Sequence, residues 1–219
     1  MVRLDNVSKL YRTPQGDVRS LDAVSLQVNA GEFVVIRGPS GCGKTTLLLT
    51  IGAMLRPTSG QVTIQNSNLY ELSARARASF RARSIGFVFQ MFHLVPYLTV
   101  RENVLLSDWG SASTTQQSRA DQLIGELGLS ARAHHIPAKL STGERQRAAI
   151  ARALLHQPRV ILADEPTGNL DPDNAGEVFR HLKAFHRNGG TLIVVTHGSV
   201  ENLGADRIVN LKAGKVDNE

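Results

Sequence analysis

Hydrophobic and polar positions along the chain fall into short blocks separated by turn residues. Val2 to Val7, Val24 to Val28 and Phe33 to Ile36 read as strands joined by polar turns. Between the first two, Thr13-Pro14-Gln15-Gly16 has the chemistry of a hairpin or loop. Thr46-Leu47-Leu48-Leu49-Thr50-Ile51 then reads as helix, Pro57-Thr58-Ser59-Gly60 breaks it, and Gln61-Val62-Thr63-Ile64 alternates as a strand. A polar, Arg-rich helical segment runs to about Arg83. It is followed by the compact apolar strand Ile85-Gly86-Phe87-Val88-Phe89, which ends at Gln90.

Met91 to Leu98 is apolar but irregular, with Pro96 inside it. Thr99 can cap a helix beginning Val100-Arg101-Glu102-Asn103, because Glu102 stands three residues on, the spacing of a capping box. Ser111 to Thr115 reads as a polar linker, and Arg119 to Leu129 as a helix with Leu123, Ile124, Leu127 and Leu129 apolar. A strong helix rich in Ala, Arg and Leu spans about Arg145 to Leu155. Val160 to Ala163 is a buried-strand run ending in Asp164-Glu165, and a helix from about Asn174 to Phe185 stops at Asn188-Gly189-Gly190. Thr191 to Val195 is a strand ending at Thr196-His197, and Arg207 to Leu211 reads as the last strand. Strands alternating with helices predict an α/β fold whose mostly parallel sheet is covered on both faces.

Composition narrows this picture. The chain has 219 residues, enough for one large domain or a core with a lobe attached. No apolar run approaches the ~20 residues needed to span a bilayer. The opening Met1-Val2-Arg3-Leu4-Asp5-Asn6 has no apolar signal region, so any membrane role is expected to come through a partner. Cys42 is the only cysteine, which excludes an internal disulfide and suits a reducing cytosol. The net charge of +6 owes much to Arg75, Arg77, Arg81 and Arg83. Ala and Ser separate them and Phe80 is the one aromatic among them, so the stretch reads as a solvated helix face and no nucleic-acid partner is expected.

The candidate chemistry centres on Gly38-Pro39-Ser40-Gly41-Cys42-Gly43-Lys44-Thr45-Thr46. It lies between a strand and a helix, the context in which G-x-x-x-x-G-K-[ST] forms a phosphate-binding loop. Glycines let consecutive backbone N–H groups turn inward, and the helix N-terminus adds its positive end. Lys44 is expected to reach the outer phosphates and Thr45 to hold Mg²⁺. Cys42 reads as a small packing residue of that loop. Asp164, at the end of a buried strand, is the acid that completes such a magnesium site, and Glu165 can orient or deprotonate a water attacking the γ-phosphate.

With Gln90, Leu140-Ser141-Thr142-Gly143-Glu144, Gly168-Asn169-Leu170-Asp171 and His197 following in order, the whole chain resembles the nucleotide-binding subunit of an ABC transporter. The resemblance implies a P-loop ATPase core with an N-terminal antiparallel β subdomain and a helical subdomain. It makes residues 1–219 one domain, with about 1–90 and 157–219 as core and β subdomain and about 91–156 as the helical part. It implies ATP and Mg²⁺ as ligands and a head-to-tail dimer of two copies around two ATP molecules. In each site one copy supplies the phosphate loop and the other supplies Ser141 and Gly143 to the γ-phosphate. Ser141 read by itself is also the cap of the helix behind it. The same resemblance makes Gln90 a contact to Mg²⁺ or the attacking water, and His197 a partner of the γ-phosphate and Glu165. Asp171 becomes a residue acting across the dimer, and Tyr11 the aromatic on which adenine stacks.

Two positions depart from the family's commonest signature, which has two glycines and then Gln after Ser. Thr142 adds a β-branched side chain and Glu144 a negative charge near the phosphates, so a slower or more weakly closing dimer is expected. The runs His93 to Asn103 and Ala163 to Asp171 resemble the branch holding lipoprotein-releasing, macrolide-exporting and cell-division ATPases. The sequence stops soon after the expected last strand, so the regulatory domain of sugar importers is not expected. Membership implies a cytoplasmic subunit, peripheral on the membrane through an integral permease that it contacts around Met91 to Leu98. Its task is export, lipoprotein release or mechanotransmission. A regulatory ATPase of the cell-division type is the alternative, and a soluble ABC ATPase acting on nucleic acid or ribosomes ranks last.

Overall fold

The computed structural model describes residues 1–14, 16–108, 112–198 and 203–217. Two sheets form among them. The first joins β1 (Val2–Thr13), β2 (Gly16–Val28), β4 (Ser59–Ile64) and β5 (Ser67–Asn68), antiparallel in the order β2-β1-β4-β5. The second contains β3 (Phe33–Arg37), β6 (Ile85–Phe89), β7 (Val160–Asp164), β8 (Thr191–Thr196), β9 (Arg207–Lys212) and β10 (Lys215–Asp217). Its order is β10-β9-β3-β8-β7-β6, parallel except for β10.

The central strands of the second sheet are continuously apolar over Phe33–Ile36, Val160–Ala163 and Leu192–Val195 because both faces are covered. Val34, Ile36, Leu162, Ile193 and Val195 point into one core, shared with α1 (Lys44–Ile51) and the antiparallel sheet. Phe33, Val35, Ile161, Ala163, Leu192 and Val194 point into the other. That second core is closed by α3 (Val100–Val104), α4 (Thr114–Glu126), α5 (Thr142–Leu154) and α6 (Pro172–Arg187). Period-2 alternation thus divides one set of strands between two layers. No helix among the described residues is long and apolar enough to cross a membrane.

Several elements depart from the reading of the sequence. Strands β1 and β2 continue to Thr13 and back from Gly16, because backbone pairing persists where the side chains are exposed and alternation is lost; Gln15 lies outside the described residues. Helix α4 begins at Thr114, not Arg119, so Thr114 and Thr115 are helical rather than linker, and Ser111 lies outside the described residues. Ser113 caps α4 in a capping box with Gln116, and the exposed first turn has no apolar stripe to reveal it. Helix α5 likewise begins at Thr142, capped by Ser141 in a box with Glu144. The strand β9 is not the last. Ala213 and Gly214, both at positive φ (47° and 77°), turn the chain into β10, a two-residue hairpin made without the usual Asn-Gly.

The Arg-rich segment is α2 (Ala74–Ser84), which buries no residue. Its solvated face is only part of its use. Arg77 and Arg81 turn inward to donate to the carbonyls of Leu72 and Ala53, each at 3.1 Å.

Candidate active site

Helix α1 is the one α-helix among the described residues without a side-chain cap. Ser73, Thr99, Ser113, Ser141 and Asp171 cap the others, whereas Gly43 precedes α1 at φ 107° with no capping bond. Its first N–H groups are therefore free for an external anion, with the positive end of the helix dipole behind them. Gly43 cannot be another residue type. A Cβ there would stand 2.3 Å from the Ser20 carbonyl oxygen. The loop before it is equally tight, since a Cβ on Gly38 would lie 2.1 Å from the Leu211 oxygen and 2.7 Å from Cys42 Sγ. Cys42 is buried, as a packing residue would be.

Lys44 is buried and donates to the carbonyls of Gly38 and Pro39 at 2.7 and 3.0 Å, which folds its ammonium back over its own loop. The Thr45 hydroxyl donates to Asp164 Oδ1 at 3.3 Å. Burial raises the Asp164 pKa above the usual carboxylate range; the Thr45 bond opposes this and Glu165 reinforces it. A serine-or-threonine hydroxyl beside a desolvated carboxylate is a hard-oxygen set that fits Mg²⁺, an ion that keeps several waters and shares substrate phosphates. No cluster of three or more acidic, His or Cys ligands occurs among the described residues, and this mode of binding needs none.

Glu165 sits one residue past β7 in the left-handed region (φ 44°), while its N–H still bonds Val195 O on β8 at 2.9 Å. A glutamate held there stores backbone strain of about 1–2 kcal/mol. Its Oε1 lies 2.7 Å from His197 Nδ1, a contact that requires the proton on Nδ1 when the carboxylate is ionised. Gln90, at the end of β6, gives its side-chain N–H to Asn169 Oδ1 at 3.5 Å, and Asn169 Nδ2 donates back to Gln90 O at 3.3 Å. Ser40, Gly41, Gly43, Lys44, Thr45, Thr46, Gln90, Glu165 and His197 line one cavity of about 440 Å³. A cavity of about 560 Å³ between α4 and α6 is larger, yet it holds none of this constellation.

Ser20 completes that lining and was not foreseen. Pairing runs Lys9 to Leu21 and then Leu10 to Arg19, so Ser20 is an extra residue, a bulge on β2. The bulge carries its hydroxyl to Thr46 Oγ1 at 2.8 Å. Only strand register signals it, and register is not local in sequence.

The family model described as ABC transporter matches residues 21–168. The chain belongs to the ABC transporter family. It is 43% identical over 218 residues to the uncharacterized ABC transporter ATP-binding protein YvrO of Bacillus subtilis (strain 168), covering 99% of this chain and 95% of that one. The lipoprotein-releasing system ATP-binding protein LolD of Syntrophotalea carbinolica is 40% identical over 221 residues, covering 99% and 96%. The macrolide export ATP-binding/permease protein MacB 2 of Aeromonas hydrophila is also 40% identical over 221 residues, but the chain spans only 34% of it. Among solved structures, a dimeric post-hydrolysis state of the ATP-binding cassette MJ0796 bound to ADP and Pi superposes with a TM-score of 0.90 at 39% identity, covering 99% of this chain and 97% of that one. The cassette is thus an ATP-hydrolysing subunit of an ABC transporter, with ATP and Mg²⁺ as its ligands.

Tyr11, Ser141, Gly143 and Asp171 stand away from the main cavity, and Gly38, Pro39, Cys42 and Asp164 adjoin it without lining it. Tyr11 is on β1 opposite Val18, 37% exposed, with the Lys9 ammonium 5.3 Å from its ring centre. Ser141 and Asp171 are exposed and cap α5 and α6. Gly143 is buried in the first turn of α5. Gly38 and Pro39 line a neighbouring hollow that also touches His197. The charge of Glu144 is not left to face phosphates alone. Its carboxylate accepts from Ser141 N at 2.7 Å and from Arg132 Nε at 3.0 Å.

Proposed function

We propose that this cassette works as one half of an ATP sandwich that drives an integral membrane partner. The observation that carries the reading is the single cavity that joins the uncapped N-terminus of α1 to Gln90, Glu165 and His197. In it the N–H groups of Ser40, Gly41 and Gly43 to Thr46 cradle the phosphates, and Lys44 leaves its loop carbonyls for the outer phosphate oxygens. Thr45 and Asp164, aided by Gln90, would hold Mg²⁺, whose positive charge would offset that of the phosphates. Glu165 accepts a proton from water as its oxygen bonds the γ-phosphorus and the bond to ADP breaks, giving ADP and phosphate. His197 holds Glu165 in place. Tyr11 stacks on adenine at the rim.

The second copy completes each site through Ser141, Gly143 and Asp171. Capping does not disable Ser141: its oxygen accepts from Glu144 N at 3.2 Å, and on an exposed residue its hydroxyl can turn from the Glu144 carboxylate to a phosphate. Residues of about 1–90 and 157–219 form the nucleotide core, and about 91–156 the lever. The permease grips Met91 to Leu98, where Met91 and Tyr97 are 70% and 79% exposed. Two features support this. An apolar hollow of about 380 Å³ lined by Met54, Phe87, Phe89 and His93 adjoins the segment. Phe92 and His93, both at positive φ, are clamped by Arg152 of α5 at 2.7 and 2.6 Å, which links the segment to the helix behind Ser141. The LolD and MacB relatives favour lipoprotein release or export at the cytoplasmic face of the membrane.

The test is ATP hydrolysis together with size-exclusion chromatography in ATP and Mg²⁺, on the parent and Glu165→Gln. Turnover by the parent, with an ATP-dependent dimer of the variant that keeps only a small residual rate, is expected. A parent that neither hydrolyses ATP nor dimerises overturns the sandwich.

A further inference from the structure

The first turns of α5 are fastened to the segment that follows Glu165. Gln146 is fully buried and donates to Pro166 O at 2.7 Å. Arg147 reaches Glu177 of α6 at 2.6 Å and Asn174 Oδ1 at 3.4 Å. Asn174 is the centre of this joint. Its backbone N–H bonds Asp171 Oδ1 at 3.1 Å and its side-chain Nδ2 bonds Asp171 Oδ2 at 2.6 Å. That leaves Oδ1 and the side-chain body seated on Gly143. A Cβ on Gly143 would stand 2.0 Å from Asn174 Oδ1, 2.5 Å from its Cγ and 3.1 Å from its Cβ. Asn174 is short and held at both ends, so it has no room to swing aside.

We propose that Asn174 is a positioning residue that locks the Ser141–Gly143 turn to the loop running from Glu165 to Asp171, so that the surface offered to a second copy is one rigid piece with Glu165. The glycine at 143 is then demanded from inside the chain, by Asn174, and not only by the close approach of a nucleotide. The effect on turnover rests on the sandwich reading; the contact itself does not. Asn174→Ala is the informative change, because the α6 cap uses the backbone N–H of residue 174 and survives it.

Four readouts on the full chain decide the matter: kcat and KM for ATP, ATP-driven dimerisation in the Glu165→Gln background, binding of a fluorescent ATP analogue to dilute monomer, and thermal unfolding. Asn174→Ala is expected to leave monomer binding and KM unchanged. It lowers kcat, and the affinity of the dimer, about ten- to hundredfold, the scale of a small misplacement at a reacting site. Gly143→Ala lowers Tm by about 5 °C through overpacking, and adding Asn174→Ala recovers most of the loss, since only the 3.1 Å approach to the Cβ of residue 174 remains. Dimerisation and kcat of Asn174→Ala matching its parent overturn the positioning role. A Gly143→Ala/Asn174→Ala chain no more stable than Gly143→Ala overturns the contact. Should Glu165→Gln itself fail to dimerise, the sandwich is at fault, and unfolding still decides whether Asn174 dictates the glycine.

Discussion

Replacing His197 by alanine tests the core of the proposed chemistry. His197 is 63% exposed in its side chain while its partner Glu165 is 12% exposed, so the imidazole lies over the carboxylate from the solvent side. Their 2.7 Å contact is a hydrogen bond to a charged group, worth about 1.5–3 kcal/mol net. If it serves only to hold Glu165 and its water in the reacting geometry, the loss appears in the barrier, and kcat falls about 10- to 150-fold. KM changes little, because the phosphate cradle belongs to the backbone of residues 38–46. Steady-state hydrolysis at saturating ATP and Mg²⁺ measures the split. The pair acts as a unit, so Glu165→Gln/His197→Ala should be no slower than Glu165→Gln alone. A loss confined to KM, a kcat within twofold of the parent, or full additivity in the double variant would refute the reasoning.

Three further changes probe the surroundings. Ser20→Ala removes the bulge hydroxyl from Thr46, costing about 1 kcal/mol and roughly fivefold in nucleotide affinity; titration of a fluorescent analogue into dilute monomer checks it, and unchanged affinity rejects Ser20 as a support of the phosphate loop. Glu144→Gln keeps both bonds of the α5 capping box but ends the ion pair with Arg132, so it costs less than about 1 kcal/mol at neutral pH. The Ser141 N–H, then Arg132, depress the Glu144 pKa below its usual 4.5. That stability is present above 4.5 and lost as pH falls through the lower native value, so parent and variant should converge in acid denaturation. Thr142 is exposed at the first position of α5, and Thr142→Gly is expected to raise ATP turnover at fixed protein concentration for a stability loss of about 0.5 kcal/mol. A turnover no higher than the parent's removes crowding as the reason for a slow dimer.

What the sequence disclosed and what it hid divide along a physical line. The parallel strands were legible because burial on both faces makes Val160 to Ala163 and Leu192 to Val195 continuous apolar runs. The phosphate loop was legible because its glycines, its lysine and its flanking strand and helix are local. The start of α4 was not, since Thr114 to Ser118 bury nothing that would give a helical period. Ser20 and Asn174 were not either. One is aimed by a slip in strand register. The other meets Gly143 through the packing of α6 on α5, a contact between residues 31 positions apart that no motif encodes.

The difference between α1 and its neighbours follows from the same packing. Five other helices satisfy their first N–H groups with Ser, Thr or Asp side chains, and α1 opens on a glycine that offers none. Removing a cap usually costs about 1 kcal/mol, so an uncapped helix needs a reason. Here the reason is enforced twice. The Ser20 carbonyl excludes any Cβ at position 43, and the left-handed φ of 107° disfavours every residue but glycine. The bulge that brings Ser20 to the cavity therefore also keeps α1 uncapped. A chain that satisfied α1 from within would be more stable and would have no cradle left for a phosphate.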